Sequence, residues 1–343
     1  MSVTIREVAR EASVSVATVS RVLNGKGPVQ AETARRIRTA AKRLHYVPHG
    51  GARSLITRKT TTLGVLLPEL HGEFFSELIR GIDVYARQKG YHLLVSSSHS
   101  DRAESEEMVR AMRGRVDGLI VLSPDVRPHA LKANLPEGFP VVLVNTAGGA
   151  AFDSLTVDNF GGAVEMVRHM ISLGHGRIAF LQGPSANRDA TERLRGYREA
   201  MAEHGRDGTM EIAGNFREES GYEACRRLLA GKNRPTAVFA ANDSMAIGLL
   251  CAFQEKGIRV PQDFAIAGFD DIPIARYVTP PLTSVSVPIA ELGARAAQVL
   301  IAGLEADPVR RRRRETLATR LVVRSSCGES GSRPRSASGT AYG

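Results

Sequence analysis

The sequence predicts an all-α helix-turn-helix head followed by an α/β body of two lobes with parallel sheets. Three observations predict it: two short capped helical stretches in the first 24 residues, a concentration of basic charge around them, and a regular alternation of strand-like and helix-like segments from residue 63 onward.

The head begins with Thr4-Ile5-Arg6-Glu7, a capping-box pattern in which the hydroxyl and the carboxylate satisfy exposed amides of a first helical turn. It predicts a helix over 5–12, with Ile5, Val8, Ala9 and Ala12 on one face and Arg6, Arg10 and Glu11 in water. Ser13 and Val14 break that helix. Ser15 then caps a second helix over 16–23, whose Val19, Val22 and Leu23 face inward and whose Val16, Ala17, Ser20 and Arg21 face outward. Two helices joined this tightly present the start of the second one to base edges in a DNA major groove, so Val16, Ala17 and Arg21 are the candidate base contacts. Small apolar side chains suit thymine methyls, and Arg suits the O6/N7 pair of guanine. Thr4, Ser15, Thr18, Ser20 and Asn24 are candidate backbone contacts or supports. The bland alternative is a small helical bundle, and β-branched Val16, Thr18, Val19 and Val22 lower helix propensity.

A third helix is predicted over 31–44, with Ile37, Ala40, Ala41 and Leu44 inward and Arg35, Arg36, Arg38, Lys42 and Arg43 outward, a solvated face that can also lie along a phosphate backbone. Pro48 ends it, because the residue before proline is pushed out of α geometry. Residues 1–62 hold 12 Lys+Arg against 3 Asp+Glu, residues 63–303 hold 25 against 29, and residues 304–343 hold 9 against 4. A basic head on a mildly acidic body fits a phosphate-binding module joined to a different kind of domain, and the overall charge of +10 is a local property.

At 343 residues the chain accommodates that head and two lobes with cores of their own. It has no long apolar run and begins with a polar capped helix in place of a signal peptide, so no membrane partner is expected. Cys225, Cys251 and Cys327 are odd in number and lack metal-ligand spacing, which reads as reduced thiols in a cytoplasm. In the body, 63–67, 91–96, 118–122 and 141–144 read as strands of a first lobe, separated by helical stripes at 74–85 and 104–113. The same grammar restarts with helices at 162–173, 192–204, 220–229 and 243–255 and strands at 178–182, 210–215, 237–240 and 264–268. Such alternation predicts parallel, Rossmann-like sheets with right-handed crossovers and a cleft between the lobes.

Functional groups of open parallel sheets gather beyond the C-terminal strand ends, where Asp158, Arg193, Asn242 and Asp270 fall. Asp and Arg pair with vicinal hydroxyls, Asn both donates and accepts, and Phe74, Phe75 or Phe216 can cover an apolar sugar face. Each has a structural alternative: Asn242 as a helix cap, Asp270 as an anchor of the turn at Asp271, the aromatics as core. Gly148-Gly149 and Gly161-Gly162 are not phosphate-cradling loops, and His71, His92 and His175 are isolated. No cofactor, metal or catalytic constellation is therefore expected, and the chain is not expected to be an enzyme.

The run from Thr4 to Leu55, with TVSRVLN, the TARRI third helix, LHYVP and ARSL, resembles the lactose/galactose repressor (LacI/GalR) family of bacterial transcription regulators. Within it, VSVATVSRV looks most like galactose-repressor-type recognition helices. The resemblance implies that the segment from Gly50 to Leu55 is a hinge that folds on DNA, with Ala52 and Leu55 in the minor groove and Leu55 as an apolar wedge at the operator centre. The alternative for Leu55 is that it starts the core of the body. Gly50 and Gly51 depart from the family pattern, and each glycine costs a helix about 1 kcal/mol.

The resemblance continues through LGH and PPLTSV to LATRLVVRSS, and implies a body like a periplasmic sugar-binding protein. It makes Arg193 in RLRGY, Asn242 in AANDSMAIG and Asp270 in AGFDD effector-gripping residues, with Phe74 and Phe216 touching the ligand. No purine-type signature surrounds Asn187 and Asp189, so the expected effector is a carbohydrate or a derivative of one. The implied protein is a homodimeric repressor on a near-palindromic double-stranded DNA operator, with ligand and operator affinities reciprocally coupled. The expected organisation is a head over 1–48, hinge and linker over 49–62, a two-lobed effector-binding and dimerisation domain over 63–327 and a disordered tail over 328–343 that lacks coiled-coil heptads. The Arg310 to Arg314 run is expected in a loop before a single final strand. Two alternatives remain: a regulator controlled by a partner protein, and a sugar-modifying α/β enzyme.

Overall fold

The structure, a computed structural model, describes residues 3–24, 27–46, 59–99, 101–122, 126, 128–146, 151–205, 210–230, 233–305 and 312–328. The chain divides into two compact units between Thr61 and Thr62. The expected hinge contacts, Ala52 and Leu55, lie outside the described residues, as does the tail beyond Gly328.

The first unit holds α1 (Ile5–Glu11), α2 (Val16–Asn24) and α3 (Ala31–Arg43) around a core of Val8, Ala9, Ala12, Val19, Val22, Ile37, Ala40 and Ala41. The Glu7 carboxylate accepts from both the amide and the hydroxyl of Thr4, at 2.6 and 2.9 Å. Those bonds hold it below the usual carboxylate range. Ser13, at φ 51°, makes the break, and the Ser15 hydroxyl receives the Thr18 amide at 3.2 Å. Arg36, expected in water, instead donates to the Ala12 carbonyl at 2.8 Å and fastens α3 to the end of α1. A carbonyl left over at a helix C-terminus is a natural acceptor for a cation there.

The second unit contains two six-stranded sheets among the described residues. The first has the order β11 (Arg314–Leu317), β5 (Asp153–Val157), β4 (Val141–Val144), β3 (Gly118–Val121), β1 (Thr62–Leu67), β2 (His92–Ser97), all parallel. Around it lie α4 (Glu73–Gln88), α5 (Arg102–Met112) and α6 (Pro128–Asn134). The second sheet has the order β12 (Arg320–Val322), β10 (Thr283–Ser286), β9 (Ala265–Asp270), β8 (Ala237–Ala240), β6 (Ile178–Leu181), β7 (Met210–Ile212), parallel except for the β10–β12 pair. It carries α7 (Asn159–Ser172), α8 (Arg188–Glu203), α9 (Glu218–Leu229) and α10 (Asp243–Glu255). The central strands are buried along their whole length, as parallel strands covered on both faces must be.

Three corrections to the sequence reading follow. The first lobe does not close at Val144, because β5 extends its sheet. The final segment is two strands, not one: β11 pairs with β5 of the first sheet and β12 with β10 of the second. The arginine run therefore ends in a strand, with Arg314 opposite Ser154 and the Arg313 amide donating to Asp153 at 2.7 Å. Between these strands α11 (Ile289–Glu305) returns to the first lobe and packs against α4. Among the described residues the chain thus crosses between lobes three times, near Asp158, Val287 and Thr319. The crossings are laced together: the Asp158 amide donates to the Leu317 carbonyl at 3.0 Å and the Thr319 hydroxyl to the Asp158 carbonyl at 3.2 Å. Interdigitating two helices this closely requires glycine where they touch. A Cβ at Gly81 would fall inside the Ala290 carbonyl, and one at Gly293 inside that of Leu78. Gly81→Ala should therefore force α4 and α11 apart and lower the body's stability by about 1–3 kcal/mol, read from the urea midpoint. An unchanged midpoint would show that the pair repacks freely.

Candidate functional site

In the head, α2 buries Val19 and Val22 and exposes Val16, Ala17 and Arg21, with Val16 41 % accessible. A bulky aliphatic side chain left exposed at a helix start, one turn from an unburied arginine, is costly in water and useful against a thymine methyl. Ser15 and Thr18 bond each other through their hydroxyls at 2.8 Å, so both are supports of the α2 start. Thr4 is taken up by Glu7, and Asn24 closes α2.

In the body, a cavity of about 370 Å³ is lined from both lobes. The first lobe supplies Glu69, His71, Glu73, Phe74, Phe75 and Asn145, and the second supplies, among others, Asp189, Arg193, Phe216, Asn242 and Asp270. The cavity is of the size that holds a small ligand. Its floor is built on Arg193, which is only 4 % accessible. From the first turns of α8 the guanidinium donates to Asn159 Oδ1 at 2.8 Å, the Ala241 carbonyl at 2.6 Å and Asp270 Oδ1 at 2.8 Å, and it stacks on Phe269 at 3.8 Å from the ring centre. Burial pushes the Asp270 carboxyl above the usual range, while the adjacent guanidinium opposes that rise.

Asp270 and Asp271 both lie at positive φ, 104° and 54°, so the chain turns sharply as β9 ends. The turn is pinned from below: buried Asp243 accepts from the Ser284 hydroxyl at 2.6 Å and the Ile272 amide at 2.9 Å, and Arg324 donates to Asp271 at 2.6 Å. Asn242 caps α10 by accepting from the Met245 amide at 3.0 Å and donates to the Phe216 carbonyl at 2.9 Å. Its structural role and its place on the cavity wall therefore coexist. Phe74 and Phe75 meet edge to face at 5.5 Å, and Phe216 sits 5.9 Å from the Arg193 guanidinium.

Five of the six expected effector residues thus line one cavity, and Asp158 does not. Its exposed side chain caps α7, accepting from Gly161 at 2.8 Å, and the neighbouring Asn159 is buried behind the cavity floor, against Arg193. An Asp three residues ahead of a glycine at a strand-to-helix junction is a helix-cap pattern, and that signal was present in the sequence. Sequence reasoning also passed over Asn145, Asp189, Glu69 and Glu73. Asp189 receives Asn159 Nδ2 at 3.0 Å, and burial pushes its carboxyl from 3.8 up to about 6. His175 is structural, paired with the Thr236 hydroxyl at 3.0 Å, whereas His71 lies on the cavity rim. Among the described residues, no acidic, His and Cys groups are placed to hold a metal, and no helix is long and apolar enough to cross a membrane.

Because the Asp189 pKa is raised on folding, the native chain holds that proton more tightly than the unfolded chain. The stability this contributes is full below the ordinary value and is lost as pH rises through about 6. Asp189→Asn should therefore raise Tm at pH 8 by roughly 2–4 °C and by only a small fraction of that at pH 4. Equal shifts at both pH values would mean that the charge of Asp189 is solvated by the open cavity.

Two family models match the chain: "Bacterial regulatory proteins, lacI family" over 4–49 and "Periplasmic binding protein-like domain" over 167–327. The ribose operon repressor of Escherichia coli K12 is 38% identical over 307 residues, 87% of this chain and 92% of that protein. The lac repressor dimer bound to operator and the anti-inducer ONPF superposes with a TM-score of 0.87 at 28% identity, over 96% of this chain and 100% of that one. A LacI-family regulator of Enterococcus faecium with bound ribose gives 0.72 at 29% identity, over 78% and 98%. A helix-turn-helix head and a two-lobed body with a polar cavity coincide here with 38% identity over 87% of the chain, and the chain belongs to the lacI family of bacterial regulatory proteins.

Proposed function

We propose that this regulator is a cytoplasmic homodimeric repressor whose grip on a near-palindromic operator is set by a carbohydrate bound in the interlobe cavity. The head over 1–48 reads DNA through Val16, Ala17 and Arg21, residues 49–62 act as hinge and linker, and 63–327 form the sensing and dimerising body. Phe74, Arg193, Phe216, Asn242 and Asp270 hold the ligand, and Asp158 supports the crossing between lobes. The observation that carries the ligand reading is the buried Arg193–Asp270 pair in one cavity with the aromatic rings of Phe74, Phe75 and Phe216. A paired charge with spare lone pairs beside aromatic faces is suited to vicinal hydroxyls on an apolar sugar face. The E. faecium relative with bound ribose supports the same class of ligand.

The physical route is a shift of populations. A ligand that touches both lobes favours the lobe arrangement in which all its bonds are made, and that arrangement differs in its affinity for operator. The ligand and the operator then change each other's affinity by one and the same factor.

Two measurements test this. Arg21→Ala should weaken binding to the cognate operator by 1–3 kcal/mol and barely change binding to random DNA at the same salt concentration. Equal losses on both would assign Arg21 to phosphates. Thermal-shift screening of the full chain against sugars and purines should give a stabilising carbohydrate. Absence of any stabilising compound would remove the ligand reading in favour of a partner protein, and turnover of a bound sugar would make the body an enzyme.

A further inference from the structure

The features of the cavity that ordinarily receive an anion are opposed by the chain's own acceptors and carboxylates. Of the charged groups among its described lining residues, five are carboxylates, Glu69, Glu73, Asp189, Glu218 and Asp270, and two are guanidiniums, Arg193 and Arg217. Arg193 commits each of its three nitrogens to an acceptor of the chain, on Asn159, Ala241 and Asp270, and Arg217 reaches across the cleft to Glu69 at 2.6 Å. Helix N-termini are the other usual anion sites in an α/β fold. Here α4, α8, α9 and α10 all begin at the cavity, and each carries an acid in its first turn: Glu73, Asp189, Glu218 and Asp243. Asn187 and Asn242 each further take one exposed amide, of Ala190 in α8 and of Met245 in α10, at 3.0 Å.

What the cavity leaves unsatisfied is acceptors. Asn145 Oδ1 is buried without a hydrogen-bond partner among the described residues, at the end of β4 where the backbone turns at φ 51°. Its amide group bonds Asp189, which makes no ion pair among the described residues, and Asp270 has one oxygen left beyond its bond to Arg193. A buried acceptor without a donor is costly, and a ligand that brings hydroxyl or ammonium hydrogens relieves it, whereas phosphate or carboxylate adds more acceptors and like charge.

We infer that the cavity selects a polyhydroxylated effector with no anionic group and excludes its phosphorylated or carboxylated counterparts, with Asp189 and Glu73 as the excluding residues. This rests on the carbohydrate reading of the cavity. The test is calorimetric titration of the full chain with matched probes: ribose and ribose 5-phosphate, glucose and glucose 6-phosphate, galactose and galacturonate, and glucosamine as the cationic member. The tightest probe should be neutral or amine-bearing, and its anionic counterpart at least tenfold weaker. Asp189→Asn should narrow that gap at least threefold while changing affinity for the neutral probe less, with Glu73→Gln as the second variant. A merely structural role would weaken both members alike. An anionic probe that binds as tightly as its neutral partner overturns this inference and leaves the carbohydrate reading standing. No binding by any probe overturns both.

Discussion

A guanidinium sealed from solvent has to find acceptors for its hydrogens inside the protein, and the body is arranged to supply them to Arg193. The three acceptors come from the start of α7, the end of β8 and the end of β9, with Phe269 beneath the planar group. None of these positions can shift without leaving a buried charge short of a partner, which is the costly failure of a buried ion pair. The pair itself is not where the stability of the fold originates. Burying it exacts a desolvation cost, visible in the upward shift of Asp270, and the surrounding apolar strands carry the packing. The consequence is positional: the strand ends that form the cavity floor are held in register by one side chain.

That constraint links the cavity to the crossings between the lobes. Asn159 follows directly on Asp158, where the chain passes from β5 to α7, and Asp158 is tied to Leu317 and Thr319, where it passes back. A ligand bearing on the Arg193 cluster therefore acts next to the segments about which the lobes would turn. Across the mouth, Arg217 to Glu69 and the Ile274 amide to Glu73 at 2.8 Å are direct bonds between the two lobes, so the cleft is bridged by the chain's own groups. Any effector competes with or adds to these bridges, which ties its binding free energy to lobe arrangement.

Much of this was legible in the amino-acid order because it depends on local rules. The Thr4 and Ser15 caps, the 3.6-residue periodicity of α1 to α3 and the β/α alternation of the body follow from backbone amides seeking partners and apolar faces seeking cover. Arg193, Asn242 and Asp270 were candidates because each stands at a strand end or helix start, where a parallel sheet gathers polar groups, and the family resemblance favoured them over their structural alternatives. Position along the chain is less reliable for neighbours. Asp158 and Asn159 differ by one residue, and which of them turns inward to Arg193 depends on which caps α7.

By itself, the sequence determined the head, its outward-facing Val16, Ala17 and Arg21 and the two-lobed class of the body, since these follow from periodicity, capping and strand ends, and its family resemblance pointed to most of the cavity floor. Tertiary structure alone decided that β11 and β5, some 160 residues apart, lie side by side, and that α11 returns to the first lobe. It also decided that Glu69, Glu73, Asn145 and Asp189 face one cavity and leave it rich in acceptors. The physical reason is that long-range pairing is selected by the burial of whole faces, a property of the assembled lobes that no short window of residues contains.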